Sequence, residues 1–124
     1  MFRTLCCASL LCLTGFVAYG FPLHWQLNGA TFNDGGSLFG GFDYDADTNT
    51  YSNINITSTP GSASTGSYYN SASPVAGAAT ASVLNAPSAV PVVSGTTIGL
   101  ALGFSAPLTD AGGTIALVAA GEAL

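Results

Sequence analysis

Trp25 to Thr59 reads WQLNGATFNDGGSLFGGFDYDADTNTYSNINITST, and this stretch sets the architecture. Trp25, Leu27 and Gly29 alternate with His24, Gln26 and Asn28, the period of two of a half-buried strand, so a first strand is expected over Phe21 to Phe32. Asn33-Asp34-Gly35-Gly36 breaks it, and Asp34-Gly35 is a hairpin signal because glycine accepts positive φ at no steric cost. A second strand follows from Ser37 to Tyr44 with Leu38, Phe42 and Tyr44 on one face; Gly40 and Gly41 inside it predict a bulge or a sharp bend. Asp45-Ala46-Asp47-Thr48-Asn49 turns the chain again. Thr50 to Ser58 forms a third strand, with Ser52, Ile54 and Ile56 on one face and Tyr51, Asn53, Asn55 and Thr57 on the other, the Ile face turned inward.

Outward from this stretch the signals weaken, then return. Ser62 to Gly95 is filled with Ser, Ala, Gly and Thr, with Pro74, Pro87 and Pro91 as breakers. Ser67 to Asn70 and Ala81 to Leu84 are the short strands it offers. A mobile connection and an Ala-rich helix from Val75 to Leu84 are the alternatives, the helix ranking lower because Gly77 and Thr80 interrupt it and no amphipathic stripe is present. Thr96 to Phe104 resumes strict alternation in Ile98, Leu100, Leu102 and Phe104, leaving Gly99, Ala101 and Gly103 on the opposite face. Asp110-Ala111-Gly112-Gly113 is a turn, and Thr114 to Ala119 a last apolar strand. Short strands spaced by turn signals predict an all-β fold, an antiparallel β-sandwich or a small open barrel.

The first twenty residues have the three parts of a secretory leader: Arg3, an apolar run from Leu5 to Val17, and Ala18-Tyr19-Gly20 with small residues at −3 and −1. The apolar run is shorter than the roughly 20 residues of a bilayer span. The expected organisation is therefore a leader at 1–20 and a single β domain at 21–124, low in complexity over 62–95. The mostly apolar end after a strand suggests a domain that continues past Leu124. Cys6, Cys7 and Cys12 all fall inside the leader, and Leu11 before Cys12 argues against lipidation. A mature chain would thus have no disulfide and no thiol metal site.

The chain of 124 residues has one Lys or Arg, Arg3, against six Asp and Glu, for a net charge of −5. Phosphate binding draws on Lys and Arg, so nucleic acid and anionic membrane surfaces are poor partners for the mature form. Cations, basic proteins and neutral polymers such as extracellular polysaccharide remain.

Asp43, Asp45, Asp47 and Asn49 form the sharpest polar cluster. Alternate oxygens around a turn suit Ca²⁺, although Thr48 and Ile54 stand where an EF-hand has Gly and Glu. The plainer reading is an Asp-rich hairpin turn. Beyond that calcium candidate no cofactor is expected. Catalysis is not expected either: Asp34, Asp43 and Asp110 could be nominated as a glycosidase pair, but no spacing places two together, His24 is the only His, and no nucleophile elbow or phosphate loop occurs. Trp25, Tyr44, Tyr51, Tyr68 and Tyr69 would make a sugar platform if exposed and core if buried.

Two blocks, Trp25 to Gly36 with Gly40 to Thr48 (and Asn55-Ile56-Thr57), and Pro107 to Ile115, resemble the amino-terminal region and a later stretch of PEP-CTERM proteins. Such proteins are exported by Gram-negative bacteria and associated with envelope and exopolysaccharide biology. The resemblance implies an exported, non-catalytic envelope or extracellular-matrix protein of periplasmic, cell-surface or extracellular location. It brings no catalytic residue. The family's sorting tail, a Pro-Glu-Pro motif, an apolar span and a basic cluster, has no counterpart here. The alternative reading is a glycan-binding module assisted by calcium.

Overall fold

The computed structural model describes residues 20–73, 79–89 and 98–123, so the leader expected at 1–20 lies outside it except for Gly20. The described residues form two β-sheets packed on one core, with no helix. The fold is a β-sandwich. In chain order the strands are β1 Leu23–Leu27, β2 Ala30–Thr31, β3 Ser37–Asp45, β4 Thr50–Ser58, β5 Tyr68–Tyr69, β6 Ala79–Thr80, β7 Val83–Pro87, β8 Gly99–Phe104, β9 Gly113–Ile115 and β10 Leu117–Ala123. The first sheet has the order β5-β4-β3-β1-β9, with β2 continuing the line of β1 along β3; the second has the order β10-β8-β7-β6. All pairings are antiparallel except β1 with β9, which run parallel with Trp25 opposite Gly113.

The turns follow their local chemistry. Gly35 takes φ 92°, and Asp34 Oδ1 accepts the Gly36 N–H at 3.0 Å to close the corner before β3. At the next corner Asp45 Oδ1 accepts the Thr48 N–H at 3.0 Å, and Asn49 takes φ 53°. Asn is among the few non-glycine residues that adopt this conformation readily. The first strand is shorter than its alternation suggests: it breaks at Asn28-Gly29, where Gly29 has φ 45° and the Asn28 N–H goes to Ile115 O at 3.1 Å.

The bulge expected at Gly40-Gly41 lies at that level of the sheet, but the extra residue is on the partner strand. Gly41 pairs with Asn55 and Asp43 with Ser52, so Phe42 alone faces two residues of β4, Asn53 and Ile54, and Asn53 has φ 48°. A one-residue insertion swaps the faces of everything beyond it. Tyr51, which straight alternation places opposite Ile54 and Ile56, therefore joins them on the inner side. Its ring packs 5.2 Å from that of Phe42 and 4.8 Å from that of Tyr44.

The core draws Trp25, Leu27, Leu38, Phe42, Tyr44, Ile54, Ile56, Tyr69 and Ile115 from the first sheet, and Leu84, Ala86, Leu100, Leu102 and Phe104 from the second. Buried rings extend polar tips across the gap. The Tyr51 hydroxyl donates to Thr80 O at 2.5 Å, the Tyr69 hydroxyl to Glu122 Oε1 at 2.5 Å, and the Trp25 indole N–H to Thr109 O at 3.3 Å. A hydroxyl removed from water keeps a partner, which is why these contacts fall at the rims of the core. Among the described residues no buried side-chain nitrogen or oxygen lacks one.

Two stretches differ from the plainest reading of the alternation among the described residues. The segment after β4 is tied down by Ser58 N–H to Ser67 O at 2.8 Å and Ser62 N–H to Asp34 O at 2.9 Å, and it supplies β5, β6 and β7. The alternative helix over Val75 to Leu84 is not formed at Ala79–Thr80 or at Val83 and Leu84, which are strand; residues 75–78 and 90–97 lie outside the description. The last strand, expected as one run over Thr114 to Ala119, is two. β9 ends at Ile115 in the first sheet, and β10 starts at Leu117 in the second, so the chain changes sheets at Ala116. Among the described residues no helix is long and apolar enough to cross a membrane.

Candidate functional site

The outer face of the first sheet holds the most differentiated surface. β3 sends Leu38, Phe42 and Tyr44 inward, which leaves Phe39 outward and 52% exposed. The pairing Phe39–Thr57–Tyr68 then sets three side chains in a row across β3, β4 and β5, with Tyr68 42% exposed. Beside Phe39 the face sinks, because Gly40 and Gly41 contribute no side chain. The hollow of about 300 Å³ lies between His24, Gln26, Phe39, Asn55 and Thr57.

The backbone fixes this hollow. Gly40 has φ 115°, and a Cβ there would lie 2.0 Å from Asn55 O, so no other residue fits. At Gly41 a Cβ would come 2.5 Å from Trp25 O and 2.8 Å from His24 Nε2, which places the imidazole over the floor. His24 Nδ1 pairs with Asp43 Oδ1 at 2.8 Å, and Asp43 Oδ2 accepts the Asn53 amide N–H at 2.7 Å. The Asn53 amide first, and His24 second, hold the Asp43 carboxyl below the usual carboxylate range. The Gln26 amide donates to Gly40 O at 2.7 Å. The rim is thus polar, oriented and mostly uncharged.

Of the residues nominated from sequence, Asp45, Asp47 and Asn49 stay in their own turn, which Asp110 joins, while Asp43 and Asp34 lie apart from it. Asp43 belongs to the rim just described. Asp45 caps its own turn, Asp47 Oδ2 accepts the Gly20 N–H at 2.8 Å, and Asn49 Oδ1 accepts the Tyr44 hydroxyl at 2.7 Å. Each of the four has its own partner, that of Asp47 being Gly20 of the expected leader, and among the described residues no group of three His, Cys, Asp or Glu forms a metal-holding cluster. The glycosidase nominees share no partner either. Asp34 accepts the N–H groups of Gly36 and, at 3.2 Å, Ala63, and these bonds, that from Gly36 first, hold its carboxyl below the usual range. Asp110 Oδ1 accepts the Ala46 N–H at 2.7 Å.

Of the five rings considered for a sugar platform, Trp25, Tyr44 and Tyr69 are buried and Tyr51 is half-buried; Tyr68 is exposed. Phe39 lies outside that set, and its odd phase against Leu38, Phe42 and Tyr44 marks it as outward. Glu122 is a residue that no sequence pattern marks. It lies on β10 and joins the sheets by accepting from Tyr69 and, at 2.7 Å, from the Ser64 hydroxyl. Burial, with Glu122 adding to it, pushes the Tyr69 hydroxyl pKa up. No short-range pattern marks this contact, since its partners are 53 and 58 residues apart. Compared with known proteins, the chain matches no family model, no curated protein and no solved structure.

Proposed function

We propose that this chain is an exported, non-catalytic module of a bacterial envelope or extracellular matrix. The observation that carries this reading is the use made of the carboxylates: Asp34, Asp45 and Asp110 accept backbone N–H groups, Asp43 is held by His24 and Asn53, and Glu122 joins the two sheets. Carboxylates so occupied act as internal fasteners, a use suited to a chain with no Lys or Arg after Arg3. The leader pattern at 1–20 and the two blocks similar to PEP-CTERM proteins support export and the envelope setting. Expression of the whole gene in a Gram-negative host tests it. The product should leave the cytoplasm with its amino terminus at Phe21; a cytoplasmic product beginning at Met1 overturns the reading.

A second reading, a glycan-binding module, is favoured by one observation. Phe39 and Tyr68 stand exposed on the same face with Thr57 between them, whereas the other large rings of that sheet are turned inward.

A further inference from the structure

Building on the glycan-binding reading, we propose that the outer face of the first sheet is a saccharide-binding site, with Gly40 and Gly41 as its floor and Phe39 and Tyr68 as stacking rings, and that its occupant is a neutral polysaccharide. The hollow of about 300 Å³ is at the small end of ligand sites, the size for one or two sugar rings rather than a folded partner. Its floor does not depend on side-chain rotamers. Gly40 is locked by its φ of 115° and by the Asn55 carbonyl, so the floor is present before any ligand arrives.

The rings supply apolar area beside this floor. In register through Thr57, Phe39 and Tyr68 stand two strand spacings apart, about 9.5 Å. Each presents a flat apolar surface, and the C–H face of a pyranose is the complement of such a surface. Hydrogen-bonding groups lie between and beside them. Among the described residues neither the Asn55 amide nor the Thr57 hydroxyl has a partner, so both are free to meet sugar hydroxyls. His24 Nε2 lies over the Gly41 floor while Nδ1 is held by Asp43, which fixes the ring plane.

Charge selects the polymer. No Lys or Arg occurs after Arg3, and Asp43 stands at the rim, so an anionic chain finds repulsion and no counter-charge. A neutral polymer loses nothing on that account, and its binding should be nearly independent of salt.

Native affinity electrophoresis of the purified chain tests this, in gels carrying neutral polysaccharides (hydroxyethylcellulose, xyloglucan, dextran and pullulan) with polygalacturonate as the anionic comparison. The expected result is retardation by at least one neutral polymer and none by polygalacturonate. Phe39→Ala and Tyr68→Ala should each weaken retardation roughly tenfold, and Asn55→Ala less. Val118→Ala, at an exposed apolar position of the second sheet, should leave it unchanged. Thermal melts of all four variants separate lost binding from lost folding, and Phe39 and Asn55, both exposed, are the safer substitutions. Retardation by polygalacturonate alone, or by no polymer, overturns the glycan reading and the site with it. Retardation by a neutral polymer that Phe39→Ala, Tyr68→Ala and Asn55→Ala all leave intact overturns the site and spares the reading.

Discussion

Leu38, Phe42 and Tyr44 in β3, and Leu100, Leu102 and Phe104 in β8, fill the core from opposite sides with the same period of two. The positions between them differ in kind. In β3 and its neighbours they are Phe39, Asp43, Asn55 and Thr57; in β8 they are Gly99, Ala101 and Gly103, small residues with no ring among them. The inner faces obey one packing requirement and converge on similar residues. The outer faces are under no such requirement, so a difference between them carries information about use. Each sheet has a hollow, about 300 Å³ on the first and about 270 Å³ over Asn85, Gly99 and Ala101 on the second, but only the first has a fixed imidazole and two exposed rings beside it.

The comparison breaks most visibly if the two inner faces are not one core. Leu38→Ala in the first sheet and Leu100→Ala in the second should each cost about 2–5 kcal/mol, because both side chains are fully buried. Urea unfolding should show one transition shifted in both variants; a transition that splits would mean that the sheets unfold separately. The tie between the sheets comes next. Tyr69→Phe removes the hydroxyl that Glu122 accepts and leaves a half-buried carboxylate short of a donor, at a cost of roughly 1.5–3 kcal/mol by the same measurement.

Glycines sharpen the comparison. Gly40→Ala in the first sheet must place a Cβ at 2.0 Å from Asn55 O with φ 115°, and should cost at least about 1–3 kcal/mol. Gly121→Ala in the second sheet meets nothing within 4 Å and should stay within about 0.5 kcal/mol of the parent. The smallest effect is at acid pH and belongs to the first sheet. Asp34 and Asp43 are held below the ordinary carboxylate range, so the unfolded chain takes up their protons more readily than the folded one. Their contribution is present above the unfolded Asp value near pH 4 and fades as the pH falls through their lower folded values. Melting temperature against pH should drop on that acid limb, and Asp34→Asn with Asp43→Asn should flatten it by lowering the plateau between pH 5 and 8 toward the acid value.

Local chemistry was legible where it acts over a few residues. β4 runs over the very range its alternation predicts, Thr50–Ser58, and Asp34-Gly35, Asp45 to Asn49 and Asp110 to Gly113 are corners for the reasons that Asp, Asn and Gly give. The candidate site was half legible. Asn55 and Thr57 could be placed outward by parity, but the row with Phe39 and Tyr68 depends on which strands pair. The calcium candidate is not separable from turn chemistry in the sequence, because alternate Asp residues suit both.

The amino-acid sequence alone determined that this chain makes strands, where most of them turn, and which side chains go inward, since each depends on residues no more than a few positions apart. The tertiary structure decided the rest: β1 beside β9 across some ninety residues, with Trp25 opposite Gly113, the change of sheet at Ala116, the extra residue on β4 that turns Tyr51 inward, and Glu122 fastened to Tyr69. A strand's edge hydrogen bonds are alike whatever its neighbour, so the choice of partner falls to packing between segments distant in the chain, and no local pattern records it.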